Sequence, residues 1–322
     1  MKKRITIIEE SGAAAEVTEQ AVKILSAVGE QYEHHFEIES IAPDGAGHFT
    51  PDAKSTIAQS DAVLFSGAAT AKTIEEDFRV FAMAQPVTVY HSLHHLSPLK
   101  NKYSEGLNLL MYQEPVAAAD EKSRRRIVQS AFEQAAARKQ KVTFIEHANW
   151  QTVAAEFEKT YKDIRVEQIP AAQAISQLLN NPAAFDIIIT GTDAGYYLFR
   201  QAAALAGTPA MIPSVWAAEA TSFFGPAFGC STDEAGKSQV NPIGSILSVA
   251  MMLNYFNMPE EALIVRTAVN WTLLHGFVAK DIDPVNNYST STIGELISDF
   301  VRGSIPGFAK GENMALQKST II

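Results

Sequence analysis

The 322-residue chain has a single cysteine, Cys230, so no intramolecular disulfide can staple it, and that usage fits a reducing compartment. Basic residues are scarce: 26 Lys and Arg against 36 Asp and Glu leave a formal charge of −10. Nucleic-acid and anionic-membrane surfaces need a dense basic patch, so neither partner is expected. The one basic cluster, Arg124-Arg125-Arg126, is expected on an exposed helix start. No apolar run reaches the length of a membrane span. The Ile5-Thr6-Ile7-Ile8 run behind Met1-Lys2-Lys3-Arg4 is too brief for a secretory signal. Charged residues make up only 19%, too few for a disordered chain, and the sequence holds neither an internal repeat nor a low-complexity segment. What is there is apolar: 47% of residues are hydrophobic, enough to fill a large core. At roughly 150 residues per domain, the length predicts about two domains. A soluble cytoplasmic protein is the expectation.

Periodicity alternates between strand and helix. Ile5 to Ile8 reads as a strand, Glu9 to Ala14 as a turn, and Glu16 to Val28 as a helix through Val17, Ala21, Ile24 and Val28. Further strands are expected at Phe36 to Ile38, Asp61 to Gly67, Lys141 to Ile145, Arg165 to Glu167 and Phe185 to Thr190. Helices are expected at Ile127 to Arg138 and Ala171 to Leu179. This alternation predicts an α/β fold with a parallel sheet covered on both faces. After an Ala-, Gly- and Pro-rich stretch from Ala203 to Ser222, Asn241-Pro242 opens an apolar helix to Tyr255, with proline where its missing N–H is harmless. Two more helices follow, near Glu260 to Val278 and Thr292 to Arg302, and the tail from Gly307 reads as weakly ordered.

Few residues announce chemistry by themselves. The turn Glu10 to Ala15 lacks the G-x-G-x-x-G spacing and reads as an ordinary strand-to-helix turn. His91, His94 and His95 lack the further ligands a metal would want, so solvated loop histidines are the preferred reading. His275 is expected to satisfy a local hydrogen bond, and His34-His35 to follow the first helix. Gly236-Lys237-Ser238 is no phosphate loop, because Ser231 stands where the upstream glycine belongs. Cys230 lies in a loop with the composition of a ligand site, and a structural small residue is the safer reading.

The order of segments nevertheless resembles one family, the isocitrate/isopropylmalate dehydrogenases. The opening, with Gly12, Glu16 and Val17, is similar to its G-D-G-I-G-P-E-V turn. Pro86-Val87 and Ser97-Pro98-Leu99-Lys100 resemble R-P-V and S-P-L-K; Ala131-Phe132-Glu133 and Ala148-Asn149 resemble A-F-E and K-A-N; Phe185 to Ala203 resembles F-D-V-I-V-T and its sequel. The strongest likeness is Gly229 to Pro242 against G-S-A-P-D-I-A-G-K-G-x-A-N-P. The resemblance implies a two-domain isopropylmalate-dehydrogenase-like fold: residues 1–82 plus 207–322 as a discontinuous large nucleotide domain and 83–206 as a smaller dimerisation domain. It implies a homodimer, packed through helices near Phe132 to Arg138 and Gly195 to Ala204. It also implies oxidation of a 2-hydroxy acid, with a divalent metal stabilising the enolate left by departing CO₂.

The family's working residues are mostly replaced. Its three substrate-gripping arginines fall on Glu75, Gln85 and Gln113, and its metal aspartates on Ala172, Tyr196 and Arg200. Its lysine falls on His147, and the segment with its tyrosine is missing after Pro115. An arginine in place of a metal carboxylate repels a divalent cation. The metal site is therefore expected to be lost, and with it metal-dependent β-decarboxylation. Two other readings stand beside that one. A rebuilt, metal-independent NAD-linked oxidoreductase would use His147 as base and Tyr196 as proton donor, the imidazole titrating near neutral pH. A regulatory subunit would pair with a catalytic relative. The cofactor loop is better kept: Gly229, Asp233, Gly236, Lys237 and Asn241 match, and Phe228 could stack where the family has a histidine. NAD binding and retention of the loop for its shape both remain open.

Overall fold

A computed structural model describes residues 1–44, 47–104, 106–115, 120–146, 148–228 and 236–304, apart from the side chains of 101, 102, 148 and 149. His147, Gly229, Cys230, Asp233 and the tail from Gly307 lie outside the described residues. The chain forms an α/β fold in two compact units: Met1–Phe78 with the described residues from Ala210 onward, and Arg79–Pro209. Among the described residues no helix is long and apolar enough to cross a membrane.

In the first unit, strand β1 (Lys2–Ile8) pairs in parallel with β2 (His35–Ile41) and β3 (Ala62–Leu64). Strand β10 (Ser222–Pro226) joins β3 in parallel, and β9 (Pro213–Ala218) joins β10 antiparallel. The sheet is therefore mixed, not wholly parallel as the alternation predicts. The two exceptional strands come from the Ala- and Pro-rich stretch, where a short connection between Ala218 and Ser222 leaves room only for a hairpin. Helix α1 (Ala13–Tyr32) buries Val17, Ala21, Ile24, Leu25 and Val28, all 2% exposed or less. Helix α9 (Ile243–Tyr255) is buried from Ile243 through Leu253, as a helix apolar on every side must be. Helix α10 (Pro259–Leu274) stops four residues before the expected Val278, because Gly276 adopts φ +75° and ends it. His275, exposed beyond that end, donates from Nδ1 to the Trp271 carbonyl at 2.8 Å. His34 follows α1 and pairs through Nε2 with Glu261 at 2.6 Å. Helices α2 (Pro51–Gln59), α3 (Ala68–Asp77) and α11 (Thr290–Val301) complete this unit.

The second unit has the strand order β4 (Val80–Thr88), β5 (Asn108–Gln113), β8 (Ile187–Thr190), β6 (Lys141–Ile145), β7 (Arg165–Ile169). Only β4–β5 is antiparallel; the other neighbours are parallel. Side-chain alternation sorts its two faces. Tyr112 on one face bonds Ser130 of α5 (Glu121–Ala136) at 3.0 Å, and Phe144 on that face meets Trp150 of α6 (Ala148–Thr160). The opposite face, with Gln113, lies under Gly195 of α8 (Thr192–Leu205), which packs beside α7 (Ala171–Asn180). Phe132 of α5 is fully buried against Phe157 and Tyr161. That covers the apolar face of α5 within the chain, so Phe132 is not available to a partner as the resemblance implies. Arg124 is not exposed either: it pairs with Glu114 at 2.9 Å, while Arg125 reaches Glu156 and Arg126 lies 3.6 Å over the Phe81 ring.

Candidate functional site

The substituted positions in the second unit fall together on one sheet face. Met83 pairs with Gln113 and Gln85 with Met111, so both glutamines project from the face covered by α8. Both are buried, and Gln85 Oε1 has no hydrogen-bond partner among the described residues. Gln113 is fixed by contact: a Cβ on Gly195 would lie 2.8 Å from its Cδ and 2.9 Å from its Cγ. Directly after it, Glu114 is buried with its carboxyl raised above 4.5 by burial, although the Arg124 guanidinium opposes that shift. Thr192 Oγ1 donates to the Glu114 carbonyl at 2.8 Å and ties the start of α8 to the end of β5.

Tyr196 and Arg200 are one turn apart on α8, and both are exposed. The Arg200 guanidinium stacks 4.1 Å over the Tyr196 ring. Ala172, in the first turn of α7, offers no donor, and Asp193 is the carboxylate of the first turn of α8. A phenol, a guanidinium and a methyl group do not make a site for a hard divalent cation, which wants several oxygen anions. These residues do not fit a metal. Among the described residues no group of three His, Cys, Asp or Glu is placed to hold one, the His91, His94 and His95 cluster included. In the first unit Glu75 lies on α3 beside Glu76, its carboxyl raised by burial and by that neighbour.

The cofactor-type stretch can be followed from Gly236. Gly236 adopts φ +74° and Ser238 φ +49°, and nothing lies within 4 Å of where a Gly236 Cβ would be. Gly236 and Lys237 are exposed. An open left-handed backbone turn beside an exposed cation fits a phosphate-bearing dinucleotide. Asn241 is buried: its Nδ2 donates to Asp281 at 3.2 Å and its Oδ1 accepts Ile243 N–H, the first amide of α9, at 3.0 Å. Phe228 is half-buried just after β10.

Two carboxylates organise this unit: Glu10, which the sequence offers only as part of a turn, and Glu16, which it offers only as a motif residue. Glu10 accepts from the Ser66 and Gly67 amides at 2.7 and 2.6 Å and from Thr70 Oγ1 at 2.5 Å, capping α3; burial pushes its carboxyl above 4.5. Glu16 accepts the Gly236 amide at 2.7 Å. Their partners lie 56 to 60 and 220 positions away, so no local motif could reveal them.

Against this geometry the comparisons with known proteins are direct. The family profile described as Isocitrate/isopropylmalate dehydrogenase matches residues 113–297. A 3-isopropylmalate dehydrogenase of Priestia megaterium is 32% identical, over 89% of this chain and 92% of its own. The chain belongs to the isocitrate/isopropylmalate dehydrogenase family. A 3-isopropylmalate dehydrogenase of Thermotoga maritima is 31% identical over 91% of this chain and 98% of its own. Isocitrate dehydrogenase from Methylococcus capsulatus has the same fold, with a TM-score of 0.78 at 21% identity, covering 93% of this chain and 99% of that one. The family is one of oxidoreductases, and its fold carries over to this chain.

Proposed function

We propose that this chain is a family member that has lost metal-dependent oxidative β-decarboxylation and still takes a nicotinamide dinucleotide at the stretch from Phe228 to Asn241. The reading is carried by the stack of Arg200 on Tyr196, which puts a cation and a phenol where the resemblance calls for metal carboxylates. Gln113, held beneath Gly195, supports it from the substrate side. In the second unit a dicarboxylate would meet the buried amides of Gln85 and Gln113, neither of which supplies a positive charge. This reading takes the first unit as the large nucleotide domain and the second as the smaller dimerisation domain. What this chain's own residues supply is positioning: Asn241 orders the start of α9, and Lys237 faces solvent for a phosphate.

The test is calorimetric titration with NAD and NADP, followed by turnover on 3-isopropylmalate and isocitrate with and without Mn²⁺. Saturable nucleotide binding without metal-stimulated turnover is the expected result. Metal-stimulated oxidation of either acid would overturn the loss. Metal-independent turnover abolished by His147→Ala would favour a rebuilt oxidoreductase instead.

The chain is also proposed to be a homodimer. Ile175, Leu179, Tyr196 and Tyr197 expose 37%, 47%, 52% and 65% of their surface on α7 and α8, and Gln201 joins the helices through the Ile175 carbonyl at 2.9 Å. Large apolar side chains left outward on adjacent helices suit a self-complementary interface. Sedimentation equilibrium is expected to give twice the 35.0 kDa chain mass. The Leu179→Glu/Tyr197→Glu double variant is expected to sediment as a monomer. A wild-type monomer at micromolar concentration would remove the proposal.

A further inference from the structure

Glu16 sits in the first turn of α1, and its Oε1 accepts the Gly236 amide across 220 positions of sequence. The segment it meets bends sharply, with left-handed conformations at Gly236 and Ser238. The far end of that segment has other anchors. Thr290 N–H donates to Ser238 O at 2.9 Å, Thr290 Oγ1 donates to Val240 O at 2.7 Å, and Asn241 is tied to Asp281 and Ile243. The near end, at Gly236, is held by Glu16. Among the described residues its second oxygen, Oε2, is buried without a hydrogen-bond partner, as is Oε1 of Gln20 one turn further along α1.

Helix α1 does not need this bond to stay in place. Its inward face, from Val17 to Val28, is almost wholly buried, and Ala13 and Val17 cluster with Val240. One exposed bond at the helix start adds little to that packing. Its effect falls on the backbone it grips, which carries Lys237 next in sequence. A charged acceptor on a backbone amide gives a bond about twice as strong as a neutral one. Holding the amide fixes the backbone where it enters Gly236, and so the start of the Gly236–Lys237 segment, before any ligand arrives, and pre-ordering a loop lowers the entropy lost on binding.

We infer that Glu16 is a positioning residue for the dinucleotide: its carboxylate locks Gly236 and so aims the Gly236–Lys237 backbone and the Lys237 side chain at the ligand's phosphates. The inference rests on the nucleotide reading above. Glu16→Gln keeps an acceptor oxygen, whereas Glu16→Ala removes it. NAD affinity by calorimetry is expected to fall about tenfold in Glu16→Ala and by less than about threefold in Glu16→Gln, the difference expected for one charge-assisted bond. In the free protein, amide exchange over residues 236–240 is expected to speed up in Glu16→Ala, with the melting temperature changed little. Equal NAD affinity in wild type and Glu16→Ala would overturn the inference. If the wild type fails to bind at millimolar NAD, the nucleotide reading falls, and exchange decides the anchor separately. Unchanged exchange in Glu16→Ala would overturn that too.

Discussion

Asp186→Ala is expected to destabilise the second unit by about 3–5 kcal/mol, the cost of leaving a buried charge without its partner. Asp186 and Arg138 side chains are only 1% and 2% exposed, and Nε meets Oδ1 at 2.8 Å. The second carboxylate oxygen accepts the Lys139 amide at 2.9 Å, and the guanidinium also reaches Asn108 Oδ1 at 2.7 Å. Removing the carboxylate therefore leaves the buried guanidinium without this counter-ion. The exposed Arg125–Glu156 pair makes the contrast, since breaking it should change stability by less than about 1 kcal/mol. A urea titration followed by circular dichroism measures both. The double change Arg138→Met/Asp186→Leu should recover part of the loss, because no charge is left buried, although the Lys139 amide and Asn108 Oδ1 each lose a partner. A loss under about 1 kcal/mol in Asp186→Ala would mean that water reaches the pair.

The same strand illustrates what the sequence exposes. Phe185 to Thr190 is an unbroken apolar run around one aspartate, and it forms the buried β8 where expected. Strands β1 and β6 and helices α1 and α9 were equally legible, because burial on both sides leaves a local signature. Strand β4 was not. Gln85-Pro86 interrupts its apolar pattern, and proline argues against a strand unless its missing N–H is tolerated, as it is opposite Leu110. The antiparallel pairing of β9 with β10 was hidden for a related reason: Gly225 and Pro226 weaken strand propensity, and register is settled by partners far along the chain.

Site residues divide in the same way. Family likeness located Gln85, Gln113, Tyr196 and Arg200, and the structure brings the two glutamines to one sheet face and stacks the other two on α8. Likeness kept Glu16 as a motif residue without showing what it bonds, and it did not single out Glu10; the amide partners of both arrive from elsewhere in the chain. Nor could it give the fate of Arg124, whose neighbours Arg125 and Arg126 suggest solvent while Glu114 draws it inward. A carboxylate's role depends on which donors the fold delivers to it, and composition says nothing of that.

Placing at position 113 the arginine that the resemblance implies tests the proposed loss of metal chemistry. Gln113→Arg is expected to destabilise the protein by about 1–3 kcal/mol, the range for overpacking a filled core, and to produce no turnover on 3-isopropylmalate. The space beside Gln113 is already taken by α8, whose Gly195 approaches so closely that even a methyl group there would crowd the glutamine. A longer side chain must push α8 outward or bend back along the sheet. The new charge would also be buried, and the carboxylate next to it, Glu114, is already committed to Arg124 at 2.9 Å. Moving α8 disturbs the Thr192 bond to the Glu114 carbonyl, so the strain spreads to the helix start. Thermal unfolding and dinucleotide reduction in the presence of Mn²⁺ read the two effects separately. A variant as stable as the parent and active on the acid would mean that α8 yields easily and that a single glutamine blocks the reaction. A destabilised, inactive variant would mean that helix, sheet and charge have adjusted together around the amide, so that the metal chemistry cannot be regained one residue at a time.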